Sequence, residues 1–162
     1  VNKRSELESF YYILTKEEHS KSRLSLTPGG YTVGAKGNGN FILGSGWSVL
    51  ENWGVWSTGV EVGLNLPCNS NQFYYNHKKI FLSLFFSPFG EQDITIEHME
   101  RSLYEGKITA GKQVQLELSP YYCNSESIDI DVFISEPKSP MELGQSSDVR
   151  KLGVALTRFE LR

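Results

Sequence analysis

A strict alternation of apolar and acidic residues occupies Ile128-Asp129-Ile130-Asp131-Val132, and Phe133 follows it. Successive side chains of an extended strand point to opposite faces, so this pattern predicts a strand with one buried and one solvated face. The same alternation occurs in residues 60–66 and 114–118. Turns rich in glycine and proline separate such runs, and no long helical pattern lies between them. We therefore predict an all-β domain over residues 23–162, an antiparallel β-sandwich with a jelly-roll-like arrangement.

The first residues follow a different pattern. Residues 5–8, Ser-Glu-Leu-Glu, resemble a capping box, and apolar residues follow at helical spacing up to position 14. The run at 10–13, Phe-Tyr-Tyr-Ile, has strand propensity and argues the other way. We predict a short helix over residues 5–18, within an N-terminal helix and linker at 1–22.

Composition limits the classes of partner. The chain has 162 residues, of which 39% are hydrophobic and 12% aromatic, enough for one domain with a sizeable core. Its net charge of -3 excludes a globally basic nucleic-acid binder. The longest strongly apolar run, at 80–86, is far shorter than the roughly 20 residues that span a bilayer. We expect neither a nucleic-acid partner nor membrane insertion by this fragment.

The cysteines and histidines do not predict a metal site. Cys68 and Cys123 are far apart, and no CxxC motif or nearby histidine accompanies them. His19, His77 and His98 lie in three unrelated contexts. We predict no metal and no cofactor, and we expect both thiols to be free, because disulfide-stabilised small domains are usually much richer in cysteine.

A glycine-rich segment contains every tryptophan of the chain: Trp47, Trp53 and Trp56. In one interpretation the indoles form an apolar platform for a sugar ring, and Glu51, Asn52 and Ser57 supply hydrogen bonds to its hydroxyls. In the other interpretation the indoles fill the edge of the sandwich core. The sequence leaves both open, as well as a mixture of the two.

Two signatures resemble a known domain. The segment GSGWSVLENWGVWSTG at 44–59 resembles the opening of a β-sandwich domain that recurs in bacterial surface-polysaccharide proteins, among them glycosyltransferases of capsule and O-antigen assembly. The segment SPMELGQSSDVRKLGVAL at 139–156 is similar to the closing stretch of the same domain. The resemblance implies a non-catalytic, carbohydrate-associated accessory module, since the transfer chemistry of such proteins belongs to another domain.

The expected partners follow from that resemblance. They are a weakly bound saccharide and the catalytic domain of the parent protein. The compartment stays open. The cytoplasm, with association to the membrane through the parent protein, is favoured over the periplasm. An alternative is a structural module that docks a catalytic domain or mediates oligomerisation and has no ligand of its own.

Asp148 and Arg150 complete the candidate site. Two residues apart in an extended segment, they share a face and can form a pair that fixes the last loop before the terminal strand. In the functional interpretation, Arg150 binds an anionic sugar, a phosphate or a carboxylate. A further alternative is a glycan-processing enzyme that uses Glu51, with Asp148 as the second carboxylate. We predict no catalytic residue for this fragment.

Overall fold

The structure of the protein is a computed structural model that describes residues 28–68 and 79–162. Nine strands follow one another in this part of the chain: β1 (Gly29–Thr32), β2 (Val55–Thr58), β3 (Glu61–Pro67), β4 (Ile80–Pro88), β5 (Gln92–His98), β6 (Arg101–Ile108), β7 (Lys112–Leu118), β8 (Ser127–Ile134) and β9 (Leu152–Leu161). Two single turns of 3-10 helix, Asn40–Ile42 and Pro120–Tyr122, are the helical elements of the described residues. The predicted N-terminal helix and the boundary at residue 22 lie outside these residues.

The strands form two antiparallel sheets. The front sheet has the order β1-β9-β4-β7, and β2 pairs with β9 beyond the end of β1. The back sheet has the order β3-β8-β5-β6. From β2 onward, consecutive strands cross between sheets or form hairpins so that the sheet orders become 2-9-4-7 and 3-8-5-6, which is the double Greek key of a jelly roll. The predicted all-β, jelly-roll-like sandwich is confirmed.

The core lies between the two sheets and follows the predicted alternation. In β8, Ile128, Ile130 and Val132 are fully buried, whereas Asp129 and Asp131 face away from the core. The strand β4 contributes Leu82 and other buried residues from the opposite sheet. Burying such side chains is the main favourable term in folding, so this alternation fixes which face of each sheet remains available to a partner.

The two cysteines form a disulfide, so the prediction of free thiols was wrong. Cys68 and Cys123 are bridged with their Cα atoms 6.1 Å apart. The two cysteines come together because two strands pair that are far apart in the sequence. Because β3 runs antiparallel to β8, the residue after β3 lies beside the segment that leads into β8, and Cys68 N–H donates to the carbonyl oxygen of Glu126 at 3.0 Å.

The loop before β9 is held by its own polar groups. Glu142 accepts hydrogen bonds from the backbone N–H of Ser139 at 2.8 Å and pairs with the ammonium group of Lys151. The bond from Lys151 is the main reason that the pKa of Glu142 falls from 4.5 to about 2, and the bonds from Ser139 add to it. These contacts fix the loop that carries Asp148 and Arg150.

In the described residues, no helix is long and apolar enough to cross a membrane.

Candidate functional site

The tryptophan segment folds into a hairpin that extends the front sheet. Glu51 and Gly54 exchange backbone hydrogen bonds of 2.9 and 3.4 Å around a turn with Asn52 and Trp53 at its tip. A Cβ atom at Gly54 would lie 2.6 Å from the carbonyl oxygen of Leu156, so only glycine permits the hairpin to lie this close to β9. The turn holds Trp53 at the surface with 47% of its area exposed.

Trp47 has a structural position at the edge of the core. It pairs across the hairpin with Ser57, it packs against the core cluster, and its indole N–H donates to the carbonyl oxygen of Gly63 at 2.8 Å. Both its apolar surface and its polar group are therefore satisfied within the sandwich. For this indole the interpretation as core packing is the correct one.

Ser57 is fully buried and is not accessible to a ligand. Its hydroxyl oxygen accepts the backbone N–H of Val154 at 2.8 Å. The register between β2 and β9 shifts at this point, and the serine satisfies a donor that the shift would leave without a partner. The expectation that Ser57 binds a ligand directly was wrong.

The other two tryptophans form an aromatic row with Phe89, which follows β4. The ring centroids of Trp53 and Trp56 are 5.5 Å apart with an angle of 78° between their planes. Those of Trp56 and Phe89 are 5.8 Å apart at 85°. Such edge-to-face contacts are favourable and hold each ring in place. Since Val55 and Ser57 point into the core, Trp56 points away from it, and the aromatic row lies on the outer face of the front sheet.

Asp148 and Arg150 form the pair that their spacing predicts. Arg150 Nε lies 3.0 Å from both carboxylate oxygens of Asp148, and Nη2 donates to Oδ2 at 2.7 Å. Arg150 Nη1 also donates to the hydroxyl of Ser48 at 2.8 Å, which ties the loop to the hairpin. These hydrogen bonds lower the pKa of Asp148 and raise that of Arg150. Hydrogen bonds of this kind are strong and orient the guanidinium group.

Glu51 lies beside this pair without a close bond to it. Its Oε1 atom is 3.9 Å from Arg150 Nη2, which exceeds hydrogen-bond distance. Its Oε2 atom is inaccessible and has no hydrogen-bond partner among the described residues. We call Ser48, Glu51, Asp148 and Arg150 the polar network. Glu51 is the member whose acceptor capacity is unused.

The polar network and the aromatic row share one face. Ser48 N–H donates to the carbonyl oxygen of Trp56 at 2.8 Å, in the register set by the pairing of Trp47 with Ser57. Residues opposite each other in an antiparallel pair place their side chains on the same side. Ser48 therefore points outward with Trp56, and Arg150 reaches Ser48 from that side.

The eight predicted site residues occupy three kinds of position. The structure brings together Glu51, Trp53, Trp56, Asp148 and Arg150, whereas Trp47 and Ser57 belong to the sandwich. Asn52, at the turn beside Trp53, is exposed. Sequence reasoning missed Ser48 and Phe89. Phe89 comes close to Trp56 only because β2 and β4 both pair with β9.

His98 is a buried structural residue. Its Nδ1 atom lies 2.8 Å from the carbonyl oxygen of Asp129, and its ring stacks on that of Tyr122 with centroids 4.3 Å apart. His19 and His77 lie outside the described residues. Within residues 28–68 and 79–162, no three histidine, cysteine, aspartate or glutamate side chains are grouped so that they could hold a metal ion.

Comparisons with known proteins give similarity of shape alone. No family model matches the chain, and no curated protein matches it. A family 51 carbohydrate-binding module from Clostridium perfringens, solved with methyl-galactose, is 9% identical with a TM-score of 0.38, over 80% of this chain and 78% of that one. A variant of a family 29 carbohydrate-binding module is 10% identical with a TM-score of 0.43, over 80% and 87%.

A third similar structure is a family 36 module of a multidomain xylanase from the hindgut metagenome of Trinervitermes trinervoides. It is 6% identical with a TM-score of 0.39, over 82% of this chain and 85% of that one. At these identities and scores, the similarities do not identify a ligand for this chain.

Proposed function

We propose that the aromatic row and the polar network form a weak saccharide-binding site on a non-catalytic accessory domain. The observation that carries this proposal is the exposed indole of Trp53, held edge-on against Trp56 on the face that also carries the Glu51 carboxylate and the Arg150 guanidinium, whose hydrogen-bonding capacity is partly unused. A sugar ring has an apolar C–H face and a polar rim of hydroxyls. It needs both kinds of surface side by side.

The gap between Arg150 and Glu51 suits a hydroxyl group. A guanidinium carries five N–H donors. The bonds to Asp148 and Ser48 use three of them, one on each nitrogen, so one remains on Nη1 and one on Nη2. A hydroxyl between Nη2 and Glu51 Oε1 can accept from the first and donate to the second, because these atoms are 3.9 Å apart. A hydroxyl both donates and accepts, which this arrangement requires.

The electrostatics of Asp148 limit the role that it could have in catalysis. A glycoside-cleaving pair needs one carboxylic acid whose pKa is raised so that it can donate a proton. The hydrogen bonds from Arg150 lower the pKa of Asp148 instead. In the alternative enzyme, with Glu51 and Asp148 as its two carboxylates, Asp148 is therefore unsuited to be the acid. The same bonds occupy Arg150 and weaken its interpretation as a receptor for an anionic sugar.

A docking module is the second candidate function, and exposed apolar side chains favour it. Val49 and Leu50 of the hairpin are 74% and 40% exposed, and Val149 of the neighbouring loop is 65% exposed. The bond between Arg150 and Ser48 holds these two segments together. A catalytic domain of the parent protein that packed here would cover these residues.

The parent protein in this proposal is a bacterial surface-polysaccharide transferase. The resemblance of the two signature segments, 44–59 and 139–156, to that domain supports this part of the proposal. The sequence leaves the compartment open, with the cytoplasm favoured; the disulfide instead favours an oxidising compartment, such as the periplasm or the cell surface. The full reading frame around this sequence tests the identity of the parent protein, and thiol labelling in cells tests the compartment.

Tryptophan fluorescence with neutral oligosaccharides tests the binding proposal. One stacked ring with a few hydrogen bonds corresponds to roughly 4–5.5 kcal/mol, or a dissociation constant from about 1 mM to 0.1 mM. Trp53→Ala is expected to abolish the response and to leave the fold intact, because this side chain is half exposed.

Val49→Ala is the matched control, since it truncates an exposed residue of the same hairpin outside the aromatic row. Equal binding by the two variants would contradict the proposal. Loss of association with the catalytic domain in Val49→Ala, without any sugar response in the parent chain, would favour docking.

A further inference from the structure

We propose that the binding surface continues across the outer face of the front sheet to Phe85 and Arg158, and that its ligand is a neutral glycan chain of several sugars. This inference rests on the proposed saccharide site. It adds the extent of the surface and the class of ligand. Four features carry it: the floor of the sheet, a second aromatic and polar patch, the distance between the two patches, and the balance of charges.

The floor between the two patches is made of small side chains. Across the sheet, Trp56 is opposite Ala155, and Ala155 is opposite Ser87. Ala155 lies outside the core cluster and is nevertheless fully buried, which is expected if the rings of Trp56 and Phe89 shield it on the outer face. Beyond these rings, the small side chain of Ser87 and then Phe85 follow on the outer face of β4, and the register between β4 and β9 shifts beside Phe85.

The second patch lies on the same face at the centre of the sheet. Phe85 is opposite Arg158, and the guanidinium carbon lies 3.7 Å from the centroid of the ring. Thr32 is opposite Arg158 on one side, and Gln113 is opposite Phe85 on the other. The guanidinium group of Arg158 thus lies over the face of the Phe85 ring, and a hydroxyl and an amide stand on the two neighbouring strands, so this patch offers polar groups above an aromatic base.

The distance between the patches exceeds the size of one sugar ring. Trp56 and Phe85 are on strands separated by β9, and Phe85 is two residues along β4 from the position level with Trp56. Two strand spacings and two residues of rise correspond to about 12 Å between their Cα atoms. A ligand that contacts both patches must therefore be a chain.

The charges on this surface favour a neutral chain. Arg150 is paired with Asp148 at 2.7 Å, and Arg158 with Glu160 at 3.2 Å. Each guanidinium group already has a carboxylate partner, so an anionic sugar would compete with Asp148 or Glu160. Hydroxyl groups can use the remaining N–H donors without displacing either carboxylate.

Affinity as a function of chain length tests this inference. The probes are β-1,4-linked glucose, mannose and xylose oligosaccharides, each as a disaccharide and a hexasaccharide, together with an oligogalacturonate of matched length. For the neutral series that binds, we expect the hexasaccharide to bind at least about tenfold more tightly than the disaccharide. Phe85→Ala and Arg158→Gln are expected to remove this advantage, because they weaken the binding of the hexasaccharide much more than that of the disaccharide.

Phe133→Ala is the matched control, because Phe133 is a partly exposed phenylalanine on the outer face of the back sheet. Equal affinity for short and long chains, with binding still dependent on Trp53, would overturn the extended surface and leave the proposed site standing. Tighter binding of the oligogalacturonate than of any neutral chain would overturn the neutral ligand. Absence of binding by every probe would overturn the proposed function itself.

Discussion

Removing the disulfide is expected to cost a large part of the stability of the domain. Cys68 and Cys123 are 55 positions apart, and a cross-link that closes a loop of this length contributes about 4 kcal/mol through the entropy of the unfolded chain. Both cysteine side chains are buried. Replacement by alanine removes only the sulfur atoms, which pair with each other, so it leaves no charged or hydrogen-bonding group without a partner. Small domains are stable by about 5–15 kcal/mol, so this loss is easily measured.

Urea denaturation of three samples provides the measurement: the oxidised domain, the reduced domain, and the double variant Cys68→Ala/Cys123→Ala. We expect both the reduced domain and the variant to unfold at lower urea, with a free energy of unfolding lower by about 4 kcal/mol. Thiol titration of the oxidised domain in denaturant without reductant should find no free sulfhydryl. Two free thiols, or a difference below about 1 kcal/mol, would refute the reasoning.

Three further results are expected. Ser57→Ala should destabilise the domain by about 1–3 kcal/mol in the same assay, because a buried backbone N–H of β9 loses its acceptor. Gly46→Ala should also destabilise the domain, by about 1–3 kcal/mol, because alanine is strained at the φ of +89° found here. The Cβ atom of the new alanine would in addition collide with the carbonyl oxygen of Glu61. The bond from Lys151 to Glu142 should stabilise the fold above pH 4.5 and be lost as the pH falls toward about 2. Carboxyl NMR titration of Glu142 measures this, and an ordinary pKa would contradict it.

The sandwich was predictable because its evidence is local. In Ile128-Asp129-Ile130-Asp131 the apolar and acidic residues alternate with the two-residue period of a strand. Each strand of this kind needs a second sheet to cover its apolar face. The disulfide was not predictable in this way. Cys68 and Cys123 meet only because β3 pairs with β8, and neither flanking turn carries information about that pairing.

The candidate site was partly predictable for the same reason. The sequence places Trp53 and Trp56 near Glu51, but their spacing of three would put them on opposite faces of a straight strand. The turn at Asn52 and Trp53 brings the two rings onto one face. The hydrogen bond that Ser57 accepts from Val154 depends on a register shift between β2 and β9, which no local pattern indicates.

The indole N–H resonances of the isotope-labelled domain test the central claim most directly, because each of the three tryptophans gives its own signal. On titration with a neutral oligosaccharide to about 10 mM, well above the expected dissociation constant, the signals of Trp53 and Trp56 should shift together. The signal of Trp47 should stay in place, since its N–H is bonded to Gly63 inside the sandwich. No shift of Trp53 and Trp56 with any of the neutral chains, or a shift of Trp47 alone, would contradict a saccharide site on the aromatic row.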